Sequence, residues 1–230
     1  MISQKPYPLR ANRSFVIREG RFTSAQKKAF DDLWPKYGIS IDGAEKIIMD
    51  DWFCNDQPLI LDIGFGSGDS LVSLAQQRPD LNFIGVEVYR PGIGVVLREI
   101  EKQGLANVRV INADAMQVLR ENFISNMLAG VMIWFPDPWP KTKHNKRRLV
   151  QEGFLRELVR AMQPNSILHI ASDWQPYVKF MVQNIRKVKN FIPENTLKNP
   201  LKIHRPPTRF ERRGLRIGHD MTDLIYRLEK

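Results

Sequence analysis

The sequence predicts a doubly wound α/β fold built on a mostly parallel sheet, and three observations carry that prediction. From residue 59 onward, short apolar runs rich in β-branched residues alternate strictly with helical patterns, the signature of right-handed crossovers and a sheet covered on both faces. Each run is followed closely by a glycine, an acid or a proline, where open sheets carry their ligand-binding loops. A final alternating run over residues 222–228 has no helix after it and reads as an exposed strand closing the sheet edge.

The elements follow in order. Residues 1–22 spread Lys5, Arg10, Arg13, Arg18 and Arg21 among apolar singles without a period, so they read as an extended or disordered basic arm. Thr23-Ser24-Ala25-Gln26 is a capping-box pattern. The helix it opens should run to about Trp34, stopped by Pro35 and Gly38. A short helix is expected over 44–53. Then come a strand at 59–63, a glycine loop at 64–68 and a helix at 69–77. Strand 83–87 leads to helix 92–103, strand 108–111 to helix 115–121, and strand 131–135 to helix 148–162. Strand 167–170 and a helix over 175–187 complete the alternation. With no repeat or low-complexity linker, the simplest parse is the basic arm at 1–22 and a single domain over 23–230.

Composition narrows the class of function. The 230 residues are 43% hydrophobic and 26% charged, ordinary for a soluble globular chain with a sizeable core. No apolar window approaches a membrane span, and residues 1–10 lack the apolar core of a signal peptide, so the expected location is the cytoplasm. The lone Cys54 excludes an internal disulfide, and His144, His169, His204 and His219 show no metal-ligand spacing, so no metal is expected. The net charge of +10 is unevenly divided. Residues 1–40 hold eight Lys/Arg against three Asp/Glu, 41–140 hold seven against fourteen, and 141–230 hold twenty against eight. An acidic middle between basic ends suits a small cationic cofactor at the centre and a polyanion across the flanks, although a merely basic surface gives the same sums.

The chemistry-bearing residues sit just after the strands. Gly64-x-Gly66-x-Gly68 lets backbone approach a ligand closely, and the following helix start favours an anion or carboxylate. The dinucleotide fingerprint would need a glycine at position 69, where Asp69 stands, and a carboxylate there repels pyrophosphate. Glu87 lies where an acid accepts from both ribose hydroxyls, or is a solvated strand end. Asp114 either accepts from an adenine amino group or caps the next helix. With Asp62, these residues describe a site for a nucleoside with an amino-acid tail, and their acidity favours a sulfonium cation.

The fourth strand delivers Trp134-Phe135-Pro136-Asp137-Pro138-Trp139-Pro140-Lys141, followed by Thr142-Lys143-His144-Asn145-Lys146-Arg147-Arg148, five Lys/Arg within 141–148. One carboxylate in an aromatic frame beside a polycation suits a flat polar ring attached to phosphates. Within the strand Trp134 reads as core, while Trp139, after the turn, reads as part of the site. A second basic tract, 198–216, holds seven Lys/Arg around Pro206-Pro207-Thr208-Arg209-Phe210-Glu211, where Thr208 and Glu211 can also cap a helix start.

The loop Asp62-Ile63-Gly64-Phe65-Gly66-Ser67-Gly68, then Gly85-Val86-Glu87 and Asp114-Ala115, resembles the S-adenosylmethionine-dependent class I methyltransferases. Phe135-Pro136-Asp137-Pro138-Trp139 with Lys141, His144-Asn145-Lys146-Arg147-Arg148, Ser172-Asp173-Trp174 and Thr208-Arg209-Phe210-Glu211 are similar to the bacterial tRNA (guanine-N7)-methyltransferase family, from about Arg10 to the C-terminus. The resemblance implies a seven-stranded Rossmann-like sheet, S-adenosyl-L-methionine as cofactor and the guanosine at position 46 of the tRNA variable loop as target. It implies that Asp62, Gly64, Gly66, Glu87 and Asp114 hold the cofactor and that Asp137 is catalytic. Asp137, Lys141, Asp173, Thr208, Arg209, Phe210 and Glu211 would bind substrate, and Lys143, His144, Asn145, Lys146, Arg147 and Arg148 would touch RNA. Asp62 stands where the family more often has Glu, so its shorter arm reaches the methionine amino group through water. Arg209 stands where Lys is commoner, which keeps charge and changes donor geometry. No obligate protein partner is expected, and monomer and homodimer stay open. Two rivals remain: a non-catalytic RNA-binding module on the same fold, against which the full cofactor set and Asp137 speak, and a nicotinamide oxidoreductase, against which Asp69 speaks.

Overall fold

A computed structural model describes residues 14–15, 22–41, 43–194, 205–206, 211, 218 and 220–230. Most of the N-terminal arm lies outside the described residues, as do Thr208, Arg209 and Phe210.

Seven strands form one sheet: β1 (Leu59–Ile63), β2 (Asn82–Val86), β3 (Val108–Ile111), β4 (Leu128–Trp134), β5 (Met162–Ser172), β6 (Phe191–Pro193) and β7 (Thr222–Leu228). Their order is β3-β2-β1-β4-β5-β7-β6. The first five strands pair in parallel, and β7 lies antiparallel to both β5 and β6. The expected mostly parallel, doubly wound sheet is therefore present. One detail is corrected: β7 does not close the edge, because the three-residue β6 pairs along its far side. The polar positions of β7 that suggested an open edge include Asp223 and Arg227, which are taken up in ion pairs.

Alternation along β1 shows why two cores form. Leu59, Leu61 and Ile63 face a cluster with α4 (Ala115–Glu121), α5 (Glu152–Ala161) and α6 (Gln175–Ile185), whereas Ile60 faces the other side. There it joins residues of α1 (Ser24–Tyr37), α2 (Asp69–Gln77) and α3 (Arg90–Gln103). The strands β1, β2 and β4 are buried along their whole length, as a covered parallel sheet requires.

The helices mostly match their sequence patterns. Thr23 caps α1 through a complete capping box. The helix continues past Pro35 to Tyr37, giving up the one ladder bond that proline cannot donate. The last turn is held by Gly38 N–H donating to the Trp34 carbonyl (2.7 Å) and by the Tyr37 hydroxyl donating to Glu101 of α3. The helix expected over 44–53 is a single 3-10 turn, Met49–Asp51. That expected over 148–162 begins only at Glu152, because Thr142–Arg147 forms a 3-10 turn first. Among the described residues no helix is long and apolar enough to cross a membrane.

Candidate active site

The glycine loop between β1 and α2 needs left-handed backbone: Gly64, Gly66 and Gly68 have φ of 78°, 60° and 72°. Gly68 is the N-cap of α2, and a Cβ there would meet Val96 at 1.9 Å. Glu87, at the end of β2, pins this loop. One carboxylate oxygen accepts from Gly66 N–H (2.9 Å), and the other from Val88 N–H (2.7 Å) and Tyr89 N–H (2.9 Å). A single acid thus ties the loop to the start of α3.

Asp62, facing Gly85 and Met132 on the neighbouring strands, is only 2% exposed. Its Oδ2 is buried without a hydrogen-bond partner among the described residues. Burial, and secondarily the charge of Glu87, push its carboxyl up to about 7. A buried, unsatisfied carboxyl is costly to keep; its natural complement is a cationic donor.

The loop after β4 holds two of the four non-glycine residues with left-handed backbone among the described residues. Phe135 N–H donates to the Ala171 carbonyl (2.8 Å), extending the β4–β5 pairing by one residue. Phe135 (φ 57°) and Trp139 (φ 46°) then adopt left-handed backbone on either side of Pro136-Asp137-Pro138. Such a conformation in a bulky non-glycine residue costs about 1–3 kcal/mol and persists only where its surroundings enforce it. The result presents Asp137 at the surface, with Trp139 half-buried beside it.

These pieces line one cavity of about 700 Å³ at the carboxyl ends of β1, β2 and β4. Asp62, Gly64, Gly66, Glu87, Asp137 and Trp139 all border it, as does Trp134, which is 7% exposed and otherwise part of the core. Asp114 does not border it, although Ala113 and Ala115 do; its Oδ1 caps α4 by accepting Met116 N–H (2.9 Å). Lys141 and Asp173 also stand outside its lining, Lys141 exposed and Asp173 half-buried just after β5. A buried acid awaiting a donor, a glycine loop offering close approach and an acidic rim fit a nucleoside with a cationic amino-acid tail.

The polycation divides. Lys143 and Lys146 are exposed, His144 meets the Trp139 ring edge-on at 5.5 Å, and the Arg147 guanidinium lies 5.0 Å over the same ring. Asn145 buries its Oδ1 without a partner among the described residues. Arg148 departs from the expectation that it touches RNA: it is 6% exposed, with Nε donating to the Pro138 carbonyl at 2.9 Å. A side chain so enclosed is not placed to meet a phosphate in solvent.

Comparison with known proteins decides the family. A family model described as "Putative methyltransferase" matches residues 56–224. A tRNA (guanine-N(7)-)-methyltransferase of Alcanivorax borkumensis is 43% identical over 95% of this chain and 92% of that protein. One of Halorhodospira halophila is 44% identical over 95% and 96%. The chain belongs to the tRNA (guanine-N(7)-)-methyltransferase family. Among solved structures, the 16S rRNA methyltransferase KamB superposes with a TM-score of 0.56 at 15% identity, covering 93% of this chain and 97% of that one. The aminoglycoside resistance methyltransferase NpmB1 gives 0.54 at 16% identity, over 78% and 91%. Both likenesses concern the fold alone, and it is the class I methyltransferase fold.

Seen as a member of this family, the chain brings further residues to the cavity that the sequence reading missed. Ser14 and Phe15 border it, and the Ser14 carbonyl accepts from Trp139 Nε1 (3.0 Å); a lone apolar residue in a basic arm gives no periodic signal. Tyr89, exposed and two residues beyond Glu87, also borders it, and an aromatic beside a strand-end acid was a usable hint. The predicted Glu211 is absent from the cavity lining; Arg205 ties it to the sheet. Arg205 forks onto it (2.6 and 2.9 Å) and onto Asp223 of β7 (2.8 and 3.1 Å), with its guanidinium 5.4 Å over the Phe135 ring. Burial pushes the Asp223 carboxyl up, but the hydrogen bonds from His169 and Arg205 outweigh it and hold the group well below the usual range.

Proposed function

We propose that this protein works in the cytoplasm, transferring the methyl group of S-adenosylmethionine to N7 of a guanine in tRNA, the variable-loop position 46 being the expected target. The observation that carries the reading is the opening of Asp62, Glu87 and Asp137, from three strand ends, onto one cavity, in a chain 43–44% identical to enzymes named for that reaction.

Asp62 would take the methionine ammonium group, and the glycine loop would accommodate the tail. Three backbone donors already occupy the Glu87 carboxylate, which has about four acceptor sites, so Glu87 takes one ribose hydroxyl rather than two. The adenine end would lie against Ala113 and Ala115, which line the cavity, and Asp114 between them, committed to its helix by Oδ1, would have to turn its other oxygen inward to accept from the amino group. When bound, the cofactor supplies an electrophilic methyl group on a sulfonium.

The chain's remaining task is to place the base. Guanine N7 carries a lone pair and no proton, so no general base is needed. The Asp137 carboxylate accepts from N1–H and the 2-amino group, orienting the ring and stabilising the positive charge it acquires. Trp139 stacks on the base face, as in enzymes that extract a nucleotide from its stack. Lys141, Asp173 and the segment 208–211 contact the target nucleotide, while Lys143, Lys146 and Arg147 neutralise phosphates.

Incubation with methyl-labelled S-adenosylmethionine and unmodified tRNA should place the label in N7-methylguanosine on digestion to nucleosides. Label in a different nucleoside, or none, would overturn the reading.

A further inference from the structure

Arg148 closes the run of five basic residues, yet nothing about its surroundings suits a phosphate. Its guanidinium carbon lies 4.6 Å from the Phe180 ring centre, 5.2 Å from that of Tyr177 and 5.5 Å from that of Trp174. These three aromatics belong to α6 and its N-cap. From inside that box, Nε donates to the Pro138 carbonyl at 2.9 Å, and Nη2 lies 3.5 Å from the Trp139 carbonyl. Both acceptors belong to the loop that carries Asp137, and Trp139 is one of its two left-handed residues. The backbone of Arg148 is fixed in turn, since the Gln151 side chain donates to its carbonyl.

We propose that Arg148 is a positioning residue, which clamps the Pro138–Trp139 backbone against α6 and so sets where the Asp137 carboxylate stands. This deepens the methyl-transfer reading and rests on it. A planar fork held between rings reaches two carbonyls in a fixed direction, whereas an ammonium group keeps the charge and loses the plane. That difference separates a clamp from a phosphate contact. A phosphate contact tolerates lysine. A clamp does not.

The test compares Arg148→Lys with Arg147→Ala in steady-state methylation of tRNA over a range of salt, alongside cofactor titration and thermal melting. Arg148→Lys should lower kcat by about 30-fold or more, since small misplacements of a reacting group cost rates of that order. KM for tRNA, its salt slope and cofactor affinity should stay near wild type. Arg147→Ala should instead raise KM and reduce the salt slope by about one. Retained kcat in Arg148→Lys, or a raised KM with a flatter salt slope, overturns the clamp. Should Arg148→Lys fail to fold, Phe180→Leu leaves the arginine and removes one wall. A several-fold fall in kcat at unchanged salt slope then supports the clamp, and an unchanged kcat overturns it. Wild-type protein that methylates no tRNA would overturn the functional reading itself, and this inference with it.

Discussion

Asp62 and Asp137 show how far two carboxyl groups of one cavity diverge with their surroundings. Asp137 stands exposed on a strained loop, suited to accept hydrogen bonds from a base edge. Asp62 is enclosed by β2 and β4, and burial raises its carboxyl from 3.8 to about 7. Between those two pH values the folded chain keeps a proton that the unfolded chain has lost. Stability from this group is therefore fully present below 3.8 and falls as pH rises to about 7. Pairing with a cofactor ammonium requires the ionised form, so cofactor affinity should rise with pH up to about 7 and then level. Asp62→Asn should weaken binding by about tenfold or more and flatten that rise. Calorimetric titration of cofactor across this range checks it, and a pH profile unchanged in the variant would refute the role given to Asp62. The sequence placed Asp137 just after a strand and Asp62 in the last residues of one, at the end where open sheets bind their ligands. It could not reveal Arg148, because a basic run looks alike whether a member faces solvent or turns into an aromatic box made by residues 26 to 32 positions further on.

Among the elements, the loops after β1 and β4 do the positioning, by different means. The first uses glycines, and its shape depends on α3 as well: a Cβ on Gly92 would lie 2.1 Å from the Gly66 carbonyl oxygen. Backbone meets that atom, so something must move. Gly92→Ala should weaken cofactor binding by about tenfold while lowering stability by only about 1–2 kcal/mol. Titration and melting of the variant separate the two effects, and undiminished affinity would show that the loop tolerates a shifted α3. The second loop uses bulky residues in left-handed conformations, with Arg148 bonded to the Pro138 carbonyl and the Arg205 guanidinium over the Phe135 ring. Hydrophobic periodicity made the strands and most helices legible. It was silent about β6, whose three residues are too few to show a period, and about the last turn of α1, where Pro35 reads as a stop. The late start of α5 was equally hidden: the 3-10 turn Thr142–Arg147 ends at Arg148 with non-helical backbone (φ −58°, ψ 135°), and the helix begins only at Glu152.

Taken whole, the molecule sets its acids and a basic turn side by side. The acidic middle third contributes Asp62, Glu87 and Asp137 to the cavity, and the basic 3-10 turn Thr142–Arg147 lies directly after the Asp137 loop. The order β3-β2-β1-β4-β5 brings the loops after β1, β2 and β4 to adjacent strand ends, with the basic turn following the last of these loops in sequence. The strand–helix alternation made this arrangement readable. The antiparallel insertion of β7 between β5 and β6 was not, because pairing partners of an edge region depend on a short strand far away in sequence. The second basic tract falls outside the described residues except for Arg205, Pro206 and Glu211, of which Arg205 pairs with Asp223 of β7 and with Glu211. The central claim is that Asp137 positions a tRNA guanine so that its N7 meets the cofactor methyl. The most direct test is the single-turnover rate of N7-methylguanosine formation in tRNA, with wild type and Asp137→Ala both saturated with S-adenosylmethionine. The variant should bind cofactor normally and form the product about 100-fold more slowly or worse; equal rates, or a methyl group on another atom of the base, would show that Asp137 does not position the guanine.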